Sequence, residues 1–186
     1  PLKYDLTKAK DLMAKAGYPD GKGLPTLLYS TRGNQEANIV EAKFLEGQLE
    51  KLGIKLDTKV LTFKEFLTDG RAGKLQFFTD NWLFDYPDGE NIIQLLVGAN
   101  APGINKAGYR DSDVDRWYKA LRITTDVQVK IRLMDLIEER VLRDLPWIPL
   151  MYESSYVLLA PHVRNYRKSS VARNYVKYIK LGPQEK

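Results

Sequence analysis

The chain has 186 residues, of which 44% are hydrophobic and 28% are charged, and its formal net charge is +5. This length suits one packed domain or one lobe of a larger protein, and the composition argues against wholesale disorder. Cysteine is absent and no apolar stretch approaches the roughly 20 residues needed to cross a bilayer, which excludes disulfides, thiolate metal sites and a transmembrane helix.

The positive charge is concentrated at the C-terminal end. Residues 161–186 contain seven Lys or Arg and one acid, Glu185, so this segment is +6 and the other 160 residues are −1. The basic character therefore belongs to the tail and not to the body of the chain.

The first 80 residues predict alternating helices and strands. The strand over 54–60 has one polar face, and Thr62 with Glu65 predicts a capping box. In order, we expect a helix capped by Asp5 with Ala9, Leu12, Met13 and Ala16 on its apolar face, a strand over 26–30, a helix over 35–52, the strand over 54–60, a helix over 62–73 and a buried strand over 75–79. This alternation implies a mixed or parallel α/β sheet.

The rest of the chain is predicted to be largely helical. A short helix over 91–97 and an irregular loop over 100–108 come first. Two helices follow, one capped by Asp111 or Ser112 with Val114, Trp117 and Leu121 inward, the other capped by Asp126 with Val129, Leu133, Leu136, Ile137 and Val141 inward. Beyond Pro146 we expect an extended segment over 148–160 and one or two strands in the basic tail.

The run over 81–91 crowds aromatic and acidic side chains where a buried strand meets a turn. Pro87 and Gly89 favour a tight turn that fixes Trp82 and Asp85 in space. Loops that follow strand ends are common ligand sites in α/β proteins. We therefore interpret the run as half of a binding cleft.

Four segments, taken in order and at their spacing, carry a family resemblance. They are Tyr4-Asp5 to Lys8-Ala9-Lys10 with Leu12, Ala16-Gly17-Tyr18-Pro19 and Gly21; Trp82 to Asp85-Tyr86-Pro87-Asp88 with Asn91; Asn105, Tyr109, Val114-Asp115 and Ala120; and Asp126, Arg132, Glu138, Asp144, Pro146 and Ile148-Pro149-Leu150. In these the chain resembles the extracytoplasmic solute-binding proteins of peptide and nickel ABC transporters. Gly89 departs from the proline usual there, and Asp111 stands where the family often has Asn.

The resemblance implies an architecture. It predicts an α/β, periplasmic-binding-protein-like lobe with a mixed sheet flanked by helices, forming the C-terminal portion of a two-lobed protein. Residues 1–155 would form the ligand-binding lobe, and residues 156–186 a return segment that rejoins the missing N-terminal lobe. The implied partners are a small solute and the membrane permease of an ABC transporter. The implied location is periplasmic or extracellular, with a lipid anchor left open.

The resemblance also implies ligand contacts. In peptide-binding members the aspartate at the position of Asp85 pairs with the ligand's α-ammonium group, a charge-assisted bond that tolerates any side chain. The alternative is that Asp85 caps a turn or pairs with a local Lys or Arg. Trp82 would line the cleft or pack in the core, and Tyr86 would contact the ligand or shape the turn. Asn105 and Tyr109 would reach the ligand or support their loop.

Other functions are disfavoured by the sequence. His162 is the one histidine and no nucleophile elbow or phosphate loop is present, so we expect no catalytic residue, cofactor or metal. Nucleic-acid binding would use Tyr166, Tyr175 and Tyr178 among the basic tail residues, but a lysine-rich edge strand has the same composition. The expected function is uptake of oligopeptides or dipeptides, with a nickel chelate, haem or sugar as alternative ligands.

Overall fold

The computed structural model describes residues 3–152, 154, 156–167, 169 and 174–183. The chain divides into two compact units. The first comprises Pro1–Asn81 and Ala101–Lys106, and the second comprises Trp82–Asn100 and Ala107–Lys186. No helix within the described ranges is long and apolar enough to cross a membrane.

The first unit is built on a parallel sheet of three strands. Its elements are α1 (Leu6–Lys15), a 3₁₀ turn (Pro19–Gly21), β1 (Leu27–Ser30), α2 (Glu36–Glu50), β2 (Leu56–Lys59), α3 (Phe63–Arg71) and β3 (Phe77–Phe78). The strand order is β2-β1-β3 and both pairings are parallel. The predicted α/β alternation is therefore confirmed, and this sheet takes the parallel form of the two that the sequence allowed.

Local side-chain caps start two of these helices where the sequence predicted them. The Asp5 carboxylate accepts a hydrogen bond from the Lys8 N–H at 2.9 Å. Thr62 and Glu65 form the reciprocal capping box of α3. Gly21 and Gly53 are required by a close approach, since a Cβ atom at Gly21 would lie 2.0 Å from the Gly53 carbonyl oxygen. Both glycines also have positive φ, which favours glycine over other residues.

Aromatic rings form the core around this sheet. Tyr29 and Phe66 are almost completely buried. Tyr29 packs edge-on against Phe77 and Phe66 against Phe78, with ring centroids 5.4 and 5.8 Å apart. The predicted apolar face of α1 is not covered in the same way, because Leu12 is 54% exposed.

The second unit packs short and long helices around one apolar cluster. Its elements are α4 (Glu90–Ile93), 3₁₀ turns at Gln94–Leu96 and Gly98–Asn100, α5 (Ser112–Ile123), α6 (Val127–Asp144), β4 (Val163–Arg164), a 3₁₀ turn at Tyr175–Tyr178 and β5 (Lys180–Leu181). The buried cluster comprises Ile93, Leu96, Val97, Val114, Tyr118, Leu121 and Ile137. It joins α4 and the turn after it to both long helices.

The predicted caps and most predicted inward residues of α5 and α6 are confirmed. Asp111 accepts from the Val114 N–H and Asp126 from the Gln128 N–H, at 2.9 and 2.8 Å. Val129 was wrongly predicted to face inward and is 44% exposed. The reason is helical phase, because Val129 lies about 80° around the helix from buried Ile137 whereas Lys130 lies about 20° from it.

The predicted extended segment after α6 stays a prediction, because the structure assigns its described residues to no regular element. Its described residues over 148–152, 154 and 156–160 lie outside any helix or strand, and Tyr152 is fully exposed. In the tail, β4 and β5 pair antiparallel, which agrees with the predicted one or two strands. Ser155, the tail residues Lys168, Arg173, Glu185 and Lys186, and the side chain of Tyr175 lie outside what the structure describes.

We predict that the first unit's stability depends on Phe66. Because its ring is completely buried, Phe66→Ala should lower the free energy of unfolding by about 3–5 kcal/mol. Phe44, on α2, is 62% exposed, so the matched change Phe44→Ala should alter it by no more than about 0.5 kcal/mol. Urea unfolding followed by circular dichroism measures both. Equal losses in the two variants would contradict the assigned core.

Candidate functional site

Residues 82–89 form a loop in the second unit whose conformation depends on one amide side chain. The Trp82 indole N–H donates to Asn91 Oδ1 at 2.8 Å. The Asp85 backbone N–H donates to the same oxygen at 3.2 Å. Asn91 is 1% exposed, so this oxygen accepts both bonds inside the unit. The loop is therefore held at two points by a buried acceptor.

Asp85 combines a fixed backbone with an exposed side chain. Its N–H is bonded to Asn91, while the residue as a whole is exposed. An exposed carboxylate on a fixed backbone can accept charge-assisted hydrogen bonds from an ammonium or guanidinium group without reorganising the chain. The geometry is compatible with the ligand contact expected for this residue.

Glu90 holds two tyrosines of the same unit. The Tyr86 hydroxyl donates to Glu90 Oε2, and the Tyr118 hydroxyl donates to Oε1 at 2.5 Å. The hydrogen bond to Glu90 raises the pKa of Tyr86, and burial together with Glu90 raises the pKa of Tyr118. Both phenols therefore stay protonated at neutral pH, and the Tyr86 hydroxyl is oriented towards Glu90.

The side chain of Asp88 connects the end of the loop to α4 and α6. Its Oδ1 accepts from the Glu90 N–H at 3.0 Å, and its Oδ2 lies 3.3 Å from Lys130 Nζ on α6. The Glu90 N–H and the Lys130 ammonium hold the pKa of Asp88 below its usual range, although burial opposes them. A Cβ atom at Gly89 would lie 2.8 Å from Met134 Sδ, so this turn packs closely against α6.

The other two predicted site residues have different surroundings. The Tyr109 hydroxyl donates to Asp144 at 2.7 Å, and burial and that carboxylate raise the pKa of Tyr109. Asn105 is completely buried and belongs to the first unit. The structure therefore brings Trp82, Asp85 and Tyr86 together around Glu90 and Asn91, and it gives Tyr109 and Asn105 other neighbours.

Three residues of this arrangement were missed as site residues by the sequence analysis. Asn91 belonged to the resembling segment but was given no role, and Glu90 and Tyr118 were not considered. The one signal available for Tyr118 was its position directly after Trp117, which was predicted to lie on the inward face of α5. No local pattern connects Tyr118 to Glu90, because 28 residues separate them.

Arg32 was also missed, and it lies at the carboxyl edge of the sheet in the first unit. Asp80 pairs with Arg32 at 2.9 Å and with Lys106, while the Arg32 guanidinium carbon lies 5.1 Å above the Phe63 ring. The order β2-β1-β3 puts the topological switch point between β1 and β3, which is where α/β sheets receive ligands. Both basic groups at this edge are engaged with the Asp80 carboxylate.

The described residues offer no metal centre. No group of three or more His, Cys, Asp or Glu side chains that could hold an ion occurs among them. The carboxylates of Asp88 and Glu90 are instead engaged with other groups of the protein.

Comparison with known proteins identifies relatives of this chain. The family model described as "Bacterial extracellular solute-binding proteins, family 5 Middle" matches residues 1–103. The glutathione-binding protein GsiB of Salmonella choleraesuis is 30% identical over 89% of this chain and 33% of its own length. The dipeptide-binding protein DppE of Bacillus subtilis is 27% identical over 97% of this chain and 32% of its own.

A solved structure has the same fold over nearly the whole chain. The periplasmic binding protein DppA of Helicobacter pylori, in complex with the peptide STSA, superposes with a TM-score of 0.83 at 26% identity. The match covers 98% of this chain and 36% of that one. The chain thus spans about a third of the length of the relatives that it matches.

We predict that Asp88 makes stability depend on pH. Because its pKa is lowered in the folded state, its contribution is present above the unfolded value of about 4 and is lost as the pH falls through the lowered value. Asp88→Asn should therefore destabilise the protein at pH 7 by less than about 1 kcal/mol, since the pair is partly exposed.

Urea unfolding at a series of pH values measures this dependence. The difference between wild type and Asp88→Asn should vanish below the lowered pKa. Asp135→Asn, on the exposed side of α6, is the matched control and should leave the pH dependence unchanged. A difference of constant size from pH 7 to pH 2 would rule out the charge of Asp88 as its cause.

Proposed function

The chain belongs to the family 5 bacterial extracellular solute-binding proteins, and we propose that it provides the ligand-binding lobe of the component that captures oligopeptides or dipeptides for an ABC importer. The observation that carries the proposal is the likeness, over 98% of the chain, to a periplasmic protein solved with a bound peptide. The names of GsiB and DppE, which bind glutathione and a dipeptide respectively, support the same ligand class.

In this proposal Asp85 receives the α-ammonium group of the peptide. Asp85 is exposed and Asn91 holds its backbone, so the ligand meets a residue whose backbone position is set before binding. Trp82 offers an aromatic surface to the ligand, because its N–H is bonded to Asn91 and its ring is only partly buried. Tyr86, Asn105 and Tyr109 remain further candidate contacts.

We assign residues 1–155 to the ligand-binding lobe and residues 156–186 to a return segment that pairs with another lobe of the protein. Tyr156 and Leu158 support this assignment, because they are 91% and 98% exposed and would otherwise leave large apolar side chains in water. Ligand binding would favour the closed arrangement of the two lobes, and a membrane permease would recognise that arrangement.

We place this activity outside the cytoplasmic membrane, in the periplasm or the extracellular space. The family description, which names extracellular proteins, supports this location. Transport energy would come from the partner ATPase, because the sequence contains no phosphate-binding loop. A lipid anchor is compatible with the proposal, which requires only that the chain face the compartment from which solute is taken up.

We predict that Asp85→Asn weakens peptide binding by about 30-fold to 1,000-fold, because a charged hydrogen-bond partner of the ammonium group is lost. The measurement is titration calorimetry of the whole gene product with trialanine. N-acetyl-trialanine lacks the ammonium group, so it should bind wild type and Asp85→Asn equally weakly. The matched variant Asp135→Asn should bind trialanine as wild type does.

Native mass spectrometry of the protein purified from its host tests the ligand class independently. Masses that fragment as short peptides would support the proposal. A single non-peptide mass, such as that of haem or an oligosaccharide, would leave the proposed transport role standing but would show that the ligand is not a peptide. Unchanged trialanine affinity in Asp85→Asn would remove Asp85 from the site while leaving the ligand class intact.

A further inference from the structure

We propose that Asn91 is the positioning residue of the binding loop, and that its side-chain oxygen holds the indole of Trp82 and the backbone of Asp85 in place. The proposal rests on the peptide-binding function proposed above. It assigns no ligand contact to Asn91, which is 1% exposed. Its role is to hold two other residues that the ligand is expected to meet.

The geometry is specific because one acceptor serves two donors. Trp82 Nε1 lies 2.8 Å from Asn91 Oδ1, and the Asp85 backbone nitrogen lies 3.2 Å from it. An indole N–H and a backbone N–H can only donate, so the amide of Asn91 must present its oxygen to them. The bonds span nine and six residues of sequence, and they close the loop onto the start of α4.

Asn91 is itself held firmly. Its N–H donates to the Asp88 carbonyl at 3.0 Å, and its carbonyl accepts from Gln94 Nε2 at 2.9 Å. Ile93 and Leu96, which follow it, belong to the buried cluster that includes residues of α5 and α6. The Asn91 side-chain oxygen is therefore connected to the packed core of the second unit, and this connection restrains the loop.

Neighbouring Glu90 has a separate task. It accepts from the hydroxyls of Tyr86 and Tyr118, so it orients a tyrosine of the loop and does not contact the indole of Trp82 through these bonds. Consecutive residues of α4 thus hold different parts of the loop. A change at Asn91 should alter the bonds of Trp82 and Asp85, which both end on its side-chain oxygen.

The test compares two changes at Asn91 in the whole gene product. Asn91→Leu keeps the branched shape of the side chain but has no acceptor, whereas Asn91→Asp keeps an oxygen acceptor in the same place. Asn100→Leu is the matched control, because the Asn100 amide donates to the Gln94 carbonyl instead of holding the loop. Circular dichroism first establishes that each variant is folded.

Nitrogen–proton correlation NMR without ligand gives the direct readout. The protein's indole resonances are compared, and Trp82→Phe identifies the one that belongs to Trp82. In Asn91→Leu this indole proton and the Asp85 amide proton should move upfield as their hydrogen bonds are lost. Both should stay near their original positions in Asn91→Asp and in Asn100→Leu. Unmoved resonances in folded Asn91→Leu would overturn the proposal.

Titration with trialanine then connects the geometry to binding. We expect Asn91→Leu to weaken trialanine binding at least tenfold, Asn91→Asp to restore most of the loss and Asn100→Leu to change it less than twofold. In a Trp82→Phe background, Asn91→Leu should reduce trialanine affinity by a smaller factor, because the hydrogen bond from the Trp82 indole to Asn91 is already absent. Equal affinity of wild type and Asn91→Leu, with the NMR shifts present, would overturn the positioning role.

The outcomes separate this proposal from the function on which it rests. If wild type binds no trialanine and carries no peptide in native mass spectrometry, the proposed ligand class fails. The positioning of Trp82 and Asp85 is then judged by the NMR shifts and their restoration in Asn91→Asp. Should Asn91→Leu not fold, persistence of the downfield Trp82 indole resonance in Asn91→Asp supports the role, and its loss there overturns it.

Discussion

The buried oxygen of Asn91 is the constraint on which the candidate site depends. Without it, the indole N–H of Trp82 and the backbone N–H of Asp85 would lose this shared acceptor. With it, both groups are bonded to a residue that is anchored in the helical core. The backbone of exposed Asp85 is thereby held by a chain of contacts that reaches α5 and α6. Such preorganisation matters for binding, since ordering a loop at the moment of association lowers affinity.

The same helical core is stabilised by charges at its edge. Arg140 on α6 reaches Asp111 at 2.6 Å and Asp113 at 2.9 Å, both at the start of α5. Its guanidinium carbon also lies 5.6 Å from the centre of the Trp117 ring. Burial acts to raise the pKa of Asp111, but the Val114 N–H and the Arg140 guanidinium together hold that pKa below its usual range. The N-terminus of α5 is thus bound to α6 through Arg140.

In the first unit the corresponding role belongs to the aromatic core and the parallel sheet. Tyr29 and Phe66 are buried against the two phenylalanines of β3, so the short third strand is held by ring packing as well as by its hydrogen bonds. The Tyr29 hydroxyl donates to Thr79 at 3.0 Å just beyond that strand. These contacts fix the carboxyl edge where Arg32 and Asp80 pair.

The sequence by itself determined the elements whose causes are local. The caps at Asp5, Thr62, Asp111 and Asp126 act within four residues, and periodicity predicted the helices and strands that these caps and the apolar residues form. The family resemblance further indicated the α/β lobe and pointed to the loop around Asp85. Tertiary structure alone decided the strand order and the meeting of Trp82, Asp85, Glu90 and Tyr118 around α4. The physical reason is that side-chain hydrogen bonds between residues distant in sequence depend on how helices pack, and no spacing rule specifies which donor will reach which acceptor.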